Sequence, residues 1–207
     1  GLPLRRTDGR FRFEDPEGLG LELVVAETDD APLTADHPDV PAELALQGFD
    51  GVRAFASDPD SSRRILEDVL AFSPAGEAVW EARGAARGSI YGYDPPPADR
   101  GLGGGGTVHH VAWSSTMDDH PAWRDAVAAA GLRPSPIIDR FWFRSIYFRE
   151  PSGVLFEIAT LGPGFAVDED PEHLGEELVL PPDFEHLRAE VEPILTPLPD
   201  PRPWART

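Results

Sequence analysis

An α+β fold built from repeated βαβββ modules is predicted for this chain, and three observations carry the prediction. Two stretches echo each other fifty-eight residues apart, Ala54-Phe55-Ala56-Ser57 and Ala112-Trp113-Ser114-Ser115. A strand–turn–strand pattern at residues 11–24 returns one hundred and thirty-five residues later at 146–159, matching Phe13 to Phe148, Pro16 to Pro151, Gly18 to Gly153 and Glu22 to Glu157. Within each long unit, strand alternation gives way to helical spacing and then resumes.

The elements follow in order. Residues 1–27 read as the last hairpin of a module whose beginning is absent, with a Pro-x-Gly turn between two strands. Residues 28–47 form an acidic linker. A first complete module spans 48–106; in its helix, over 61–72, Ile65, Leu66, Val69 and Leu70 are apolar at helical spacing, and it closes on a Pro/Gly-rich loop over 94–106. A second module spans 107–160, with a strand at 107–115 (TVHHVAWSS) and a helix at 121–130 carrying Trp123, Val127 and Ala130. Residues 161–207 form an acidic, Pro-rich extension, with a solvated acidic loop at 168–177 and an irregular tail from 196.

Composition narrows the chemistry. The 207 residues are ample for a core without staples, and the absence of cysteine removes thiolate metal sites, disulfides and cysteine nucleophiles. Any metal must be held by His, Asp, Glu or Tyr. The net charge of −19, with 37 acidic and 18 basic residues, every one of the latter Arg, excludes nucleic acid as a natural partner. No apolar run approaches the roughly 18 to 20 residues of a membrane span, so a soluble, cytoplasmic protein with no membrane partner is expected. The chain opens Gly1-Leu2-Pro3 and its one methionine is Met117, so further chain is expected before it.

The strand 107–115 carries the first candidates. Alternation puts Val108, His110, Ala112 and Ser114 on one face and His109, Val111, Trp113 and Ser115 on the other. The bulky face suits packing under the following helix and the small face a cavity floor, which makes His110 the metal-ligand candidate and His109 its neighbour. The bland alternative is a pair of surface or core histidines. Glu157 interrupts the apolar run 154–159 and, if buried unpaired, would cost several kcal/mol, so it must reach solvent, a cation or a metal. A curled sheet would bring His110 and Glu157, on the first and last strands of one module, across the same cup. At the fifty-eight-residue offset Val52 stands where His110 does, so module 48–106 supplies no ligand. Arg140 and Tyr147 suit an anionic or phenolic substrate, once a turn between them brings both to one cavity; each equally suits a salt bridge or core. Phosphate-cradling loops and a nucleophile elbow are absent.

The motifs TVHHVAW, IDRFWFRSIYFREPSGVLFEIAT, GPGF-x-VDE and HLGEELVLPP together resemble the vicinal oxygen chelate superfamily, which includes glyoxalases, bleomycin resistance proteins and dioxygenases, and within it the ring-cleaving dioxygenases of hydroquinone-type aromatics. The likeness runs from about residue 11 to 182. It implies cupped mixed sheets with helices on the outer faces, around a divalent metal, Fe(II) first and Mn(II) or another divalent ion next, that chelates substrate oxygens and activates O2. His110 and Glu157 would then be metal ligands, with His109, Arg140 and Tyr147 as catalytic groups around them. Such proteins draw another histidine from the first strand of a further module, so this chain resembles their C-terminal part with one ligand to be supplied by preceding chain or by a second copy in a homo-oligomer.

The leading expectation is an Fe(II)-dependent, extradiol-type ring-cleaving dioxygenase of hydroquinones or catechols, with a small aromatic substrate and O2 as partners, its activity in this chain left open by the missing ligand. Two alternatives stand beside it: a glyoxalase-like metal-dependent isomerase or epimerase, and a non-catalytic, drug-sequestering binding protein.

Overall fold

The computed structural model describes residues 5–197 except 8, 36 and 100; the irregular tail from 196 and the ends of the first and last expected segments lie partly outside them. Strands β1 (Arg5–Thr7), β2 (Arg10–Glu14) and β3 (Gly20–Val24) form one antiparallel sheet. Strands β4 (Gly51–Phe55), β5 (Ser73–Gly76), β6 (Val79–Arg83) and β7 (Gly88–Asp94) form a second, in the order β4-β7-β6-β5. Strands β8 (Val111–Ser115), β9 (Ile138–Asp139), β10 (Arg144–Arg149) and β11 (Leu155–Thr160) form a third, in the order β8-β11-β10-β9. The second and third sheets share one topology. In each, the first strand runs parallel to the last and the remaining pairs are antiparallel. The parallel pairing requires a crossover, which helical turns supply in both units. This is the α+β architecture of mixed sheets and few helices that the repeats predict.

Helix α1 (His120–Ala129) fills the crossover of the third sheet. Its start is set by a reciprocal pair, Thr116 N–H to Asp119 Oδ1 at 2.8 Å and Asp119 N–H to Thr116 Oγ1 at 3.3 Å, with Pro121 in the first turn. It ends at Gly131, whose φ of 90° needs no side chain. The corresponding crossover of the second sheet departs from the regular helix expected over 61–72. A 3-10 turn (Pro59–Ser62) leads into a π-helical turn (Ile65–Val69), and the chain exits through Ala71 at φ 57°. The wider turn keeps Ile65 and Leu66 buried together.

The strand pleat divides each sheet into two faces. Val111, Phe156, Ile158, Ile146 and Phe148 point to one side of the third sheet, and Tyr91, Tyr93 and Trp80 to one side of the second; all are buried. These faces meet in a single core. The Tyr91 ring lies 5.6 Å from Trp113 and 5.3 Å from Phe156, and Phe72 lies 4.7 Å from Trp113, all edge to face. Glu150, 2% exposed, ties the units together: its carboxylate accepts from Ser62 Oγ–H, from Ser152 N–H at 2.8 Å and from Val154 N–H at 2.7 Å.

Pairing parity corrects one sequence expectation. Val52 faces Tyr91 as Val111 faces Phe156, so Gly51, not Val52, stands at the place of His110. A Cβ there would sit 2.1 Å from the Ile90 carbonyl oxygen, so a side chain fits only if the strands move apart. By the same register Gly92 stands at the place of Glu157, and the Arg53 guanidinium covers it, pairing with Asp94 at 2.6 Å. At the places corresponding to His110 and Glu157 this unit therefore has backbone and an ion pair.

The linker is fastened rather than loose. Asp30 pairs with Arg83 at 2.9 Å and accepts from Gly88 N–H, and these partners hold its carboxyl down to about 2. Arg87 donates to the carbonyls of Ala31 and Gln47, and Leu33 N–H reaches Gln47 O at 2.9 Å. Among the described residues no helix is long and apolar enough to cross a membrane.

Candidate functional site

One face of the third sheet carries Glu157 and Tyr147, and His110, His109 and Arg140 adjoin it. His110 directly precedes β8 rather than lying within it. On β11, Glu157 is in register with Ala112, two residues along from His110, and on β10 Tyr147 is in register with Glu157. Period-two alternation therefore sends His110, Glu157, Tyr147 and Ser145 to one side. Since β8 and β11 are paired neighbours, His110 and Glu157 meet side by side and not across a cup. His110 Nε2 lies 2.7 Å from Glu157 Oε2.

Glu157 is 4% exposed, on a strand with partners on both edges, so it does not face water. Three groups offset the cost of its burial. Oε2 faces His110, while Oε1 accepts from the Tyr147 hydroxyl at 2.7 Å and from the Ser145 hydroxyl. The two imidazoles form a relay, with His109 Nδ1 at 3.0 Å from His110 Nδ1 and the rings edge to face. At 2.7 Å, His110 Nε2–H donates to Glu157 Oε2; a cation taking both groups displaces this proton, and His110 Nδ1–H can then donate to His109 Nδ1.

Arg140 reaches the same place through the turn its parity requires. Phe141, Trp142 and Phe143 make that turn, Phe141 at φ 73°, closed by Arg140 N–H to Phe143 O at 2.8 Å. The guanidinium carbon then sits 5.8 Å from the centroid of the Tyr147 ring. Trp142 is held by its indole N–H to Asp168 Oδ1 at 2.8 Å and Gly164 N–H to its carbonyl, so residues 164–168 brace the turn.

Sequence reasoning missed Ser145. Its signal was present: it lies two residues before Tyr147 on the same strand and so shares its face. It also left Glu22 open, and the structure settles that carboxylate in an arginine clamp, Arg12 Nε at 2.6 Å and Arg10 Nη1 at 2.8 Å.

An imidazole nitrogen and a carboxylate oxygen suit Fe(II), Mn(II) or Zn(II), and ligand atoms on one such ion lie ~3 Å apart, close to the separation seen. The pair fits a divalent cation as two donors of a set. Among the described residues no group of three or more His, Cys, Asp or Glu could hold a metal.

The family model of the Glyoxalase/Bleomycin resistance protein/Dioxygenase superfamily matches residues 48–158, more than half of the chain. The chain belongs to this superfamily. Among its curated relatives, "Putative ring-cleaving dioxygenase MhqO" of Bacillus subtilis (strain 168) is 38% identical over 189 residues, covering 89% of this chain and 60% of the relative. The chlorohydroquinone/hydroquinone 1,2-dioxygenase of Sphingobium indicum is 33% identical over 190 residues, covering 86% of this chain and 59% of the relative. The crystal structure of a "putative dioxygenase" from Bacillus subtilis subsp. subtilis str. 168 superposes with a TM-score of 0.82 at 34% identity, over 96% of this chain and 66% of that one. This superfamily member thus spans about three fifths of the length of the curated relatives it matches.

Proposed function

We propose that the chain carries the metal- and substrate-binding face of an extradiol-type ring-cleaving dioxygenase for hydroquinone- or catechol-type aromatics. The observation that carries the reading is the convergence of His110 Nε2 and Glu157 Oε2, 2.7 Å apart, with Tyr147 and Arg140 beside them. The relatives named above support the reaction class.

His110 and Glu157 would hold the cation, Fe(II) first and Mn(II) next, with a further donor from preceding chain or from a second copy. Such an ion supplies a point where substrate oxygens and O2 can be brought together. The chain's own groups do the rest. With a cation on Nε2, His109 Nδ1 would accept from His110 Nδ1–H and so hold the ring in the ligating tautomer. The Arg140 guanidinium stabilises a phenolate oxygen and fixes its approach. Tyr147, whose hydroxyl proton already points at Glu157, passes a proton between substrate oxygen and carboxylate. The turn 141–143 walls one side with aromatic rings and limits water.

The test is oxygen uptake with hydroquinone by the 207-residue chain after anaerobic Fe(II) loading. Uptake should exceed that of His110→Ala by at least about tenfold. Equal uptake by the variant, or an Fe(II) affinity that His110→Ala leaves unchanged, would refute the reading. The two-donor set also suits a sequestering protein, and tight aromatic binding with no metal in the purified chain would favour that reading.

A further inference from the structure

The chain contains the β10–β11 hairpin twice, and the two copies differ at the groups around their acidic residue. In β2–β3 the register pairs Arg10 with Val24 and Arg12 with Glu22; in β10–β11 it pairs Ser145 with Ala159 and Tyr147 with Glu157. The four positions correspond one to one. Both carboxylates receive donors from the directly opposite residue and from the one two places before it. Glu22 receives two guanidinium cations, one on each oxygen. Glu157 receives two neutral hydroxyls, both on Oε1, and Oε2 is left to the imidazole.

The difference decides what each carboxylate can do. Two cations outweigh the charge of Glu22 and occupy both of its oxygens, which closes that hairpin to a metal ion. Two neutral donors leave the full charge of Glu157 in place and pin one oxygen, so the other points in one direction. Ser145 is fully buried, and its hydroxyl has Glu157 as partner.

We propose that Ser145 is a positioning residue, which with Tyr147 holds Glu157 as a one-oxygen ligand presenting Oε2 beside His110. This rests on the reading of His110 and Glu157 as cation ligands. A carboxylate freed from one of its two hydroxyls would turn about its terminal torsion, which is soft, and offer the cation a different geometry.

Two measurements test this. Crystal structures of the metal-free chain and of Ser145→Ala, Ser145→Thr and Tyr147→Phe report the carboxylate directly. Co(II) titration followed by its visible absorption reports affinity and coordination. In Ser145→Ala the carboxylate should turn, Oε2 should leave hydrogen-bonding distance of His110 Nε2, and Co(II) should bind about 10- to 100-fold more weakly with a changed spectrum. Ser145→Thr, which keeps the hydroxyl, should restore position and spectrum. Tyr147→Phe, which removes the second donor and leaves the core face untouched, should also turn the carboxylate and carries the test if Ser145→Ala fails to fold. An unmoved carboxylate in both Ser145→Ala and Tyr147→Phe overturns the proposal, even where the parent chain binds Co(II). A carboxylate that turns in a chain that takes up no Co(II) supports the positioning role and sinks the metal reading instead.

Discussion

Removing the Glu150 carboxylate should loosen the joint between the two four-stranded units, and the structure gives the size of the effect. In Glu150→Ala, the half-buried Val154 N–H loses its side-chain acceptor at 2.7 Å. A buried donor orphaned in this way costs about 1–3 kcal/mol, and this half-buried one falls at the lower end. Ser62 and Ser152 lose a charged acceptor but keep each other, through Oγ to Oγ at 2.7 Å and Ser152 N–H to Ser62 Oγ at 3.0 Å, so each adds less than about 1 kcal/mol. With the small cavity left behind, the total is about 3 kcal/mol, and for a chain of this size that lowers Tm by about 6–12 °C. Glu150→Gln keeps one acceptor for Val154 and should lose about 1 kcal/mol. Urea unfolding followed by tryptophan fluorescence measures both, with an unchanged m-value showing that the folded state is the same. A Glu150→Ala midpoint within about 1 kcal/mol of the parent would refute the reasoning.

The close approach at Gly51 predicts that Gly51→Ala forces β4 and β7 apart, at a cost of about 1–3 kcal/mol, visible as a lower Tm. His120 is 1% exposed, and burial, partly opposed by Asp119, pushes its imidazole below the ordinary value. The unfolded chain therefore binds the proton more readily; this contribution to stability is present above about pH 6.5 and is lost as the pH falls through the lowered folded value. His120→Gln should flatten the fall in urea midpoint below about pH 6.5, and an unaltered slope would count against burial as the cause.

Much of the architecture was legible because it depends on patterns that a linear reading preserves. The hairpin echo at 11–24 and 146–159 corresponds to paired strands in one register, and the register of the second hairpin sets Glu157 opposite Tyr147 on one face. The alignment of module starts failed by one residue, Val52 for Gly51, because similarity of letters does not report which side of a pleat a residue occupies, and a single-residue slip exchanges the faces. Ser145 and Glu150 went unnoticed for another reason. A serine in a strand and a glutamate before a Pro-Ser-Gly turn look solvated until the partners that bury them, Glu157 and Ser62, are known from tertiary structure. The arginines on Asp30 and Glu22 were hidden likewise, since any of 18 could have paired with any of 37 acids.

The clasp on residues 31–47 has a practical result. Leu33 and Gln47 are hydrogen-bonded to each other and Arg87 holds both Ala31 and Gln47, so the intervening exposed loop is cinched at its neck. Endoproteinase cleavage after Glu43 would sever the covalent chain without freeing either fragment. The nicked protein would elute as one species on a sizing column and separate into two bands only in detergent.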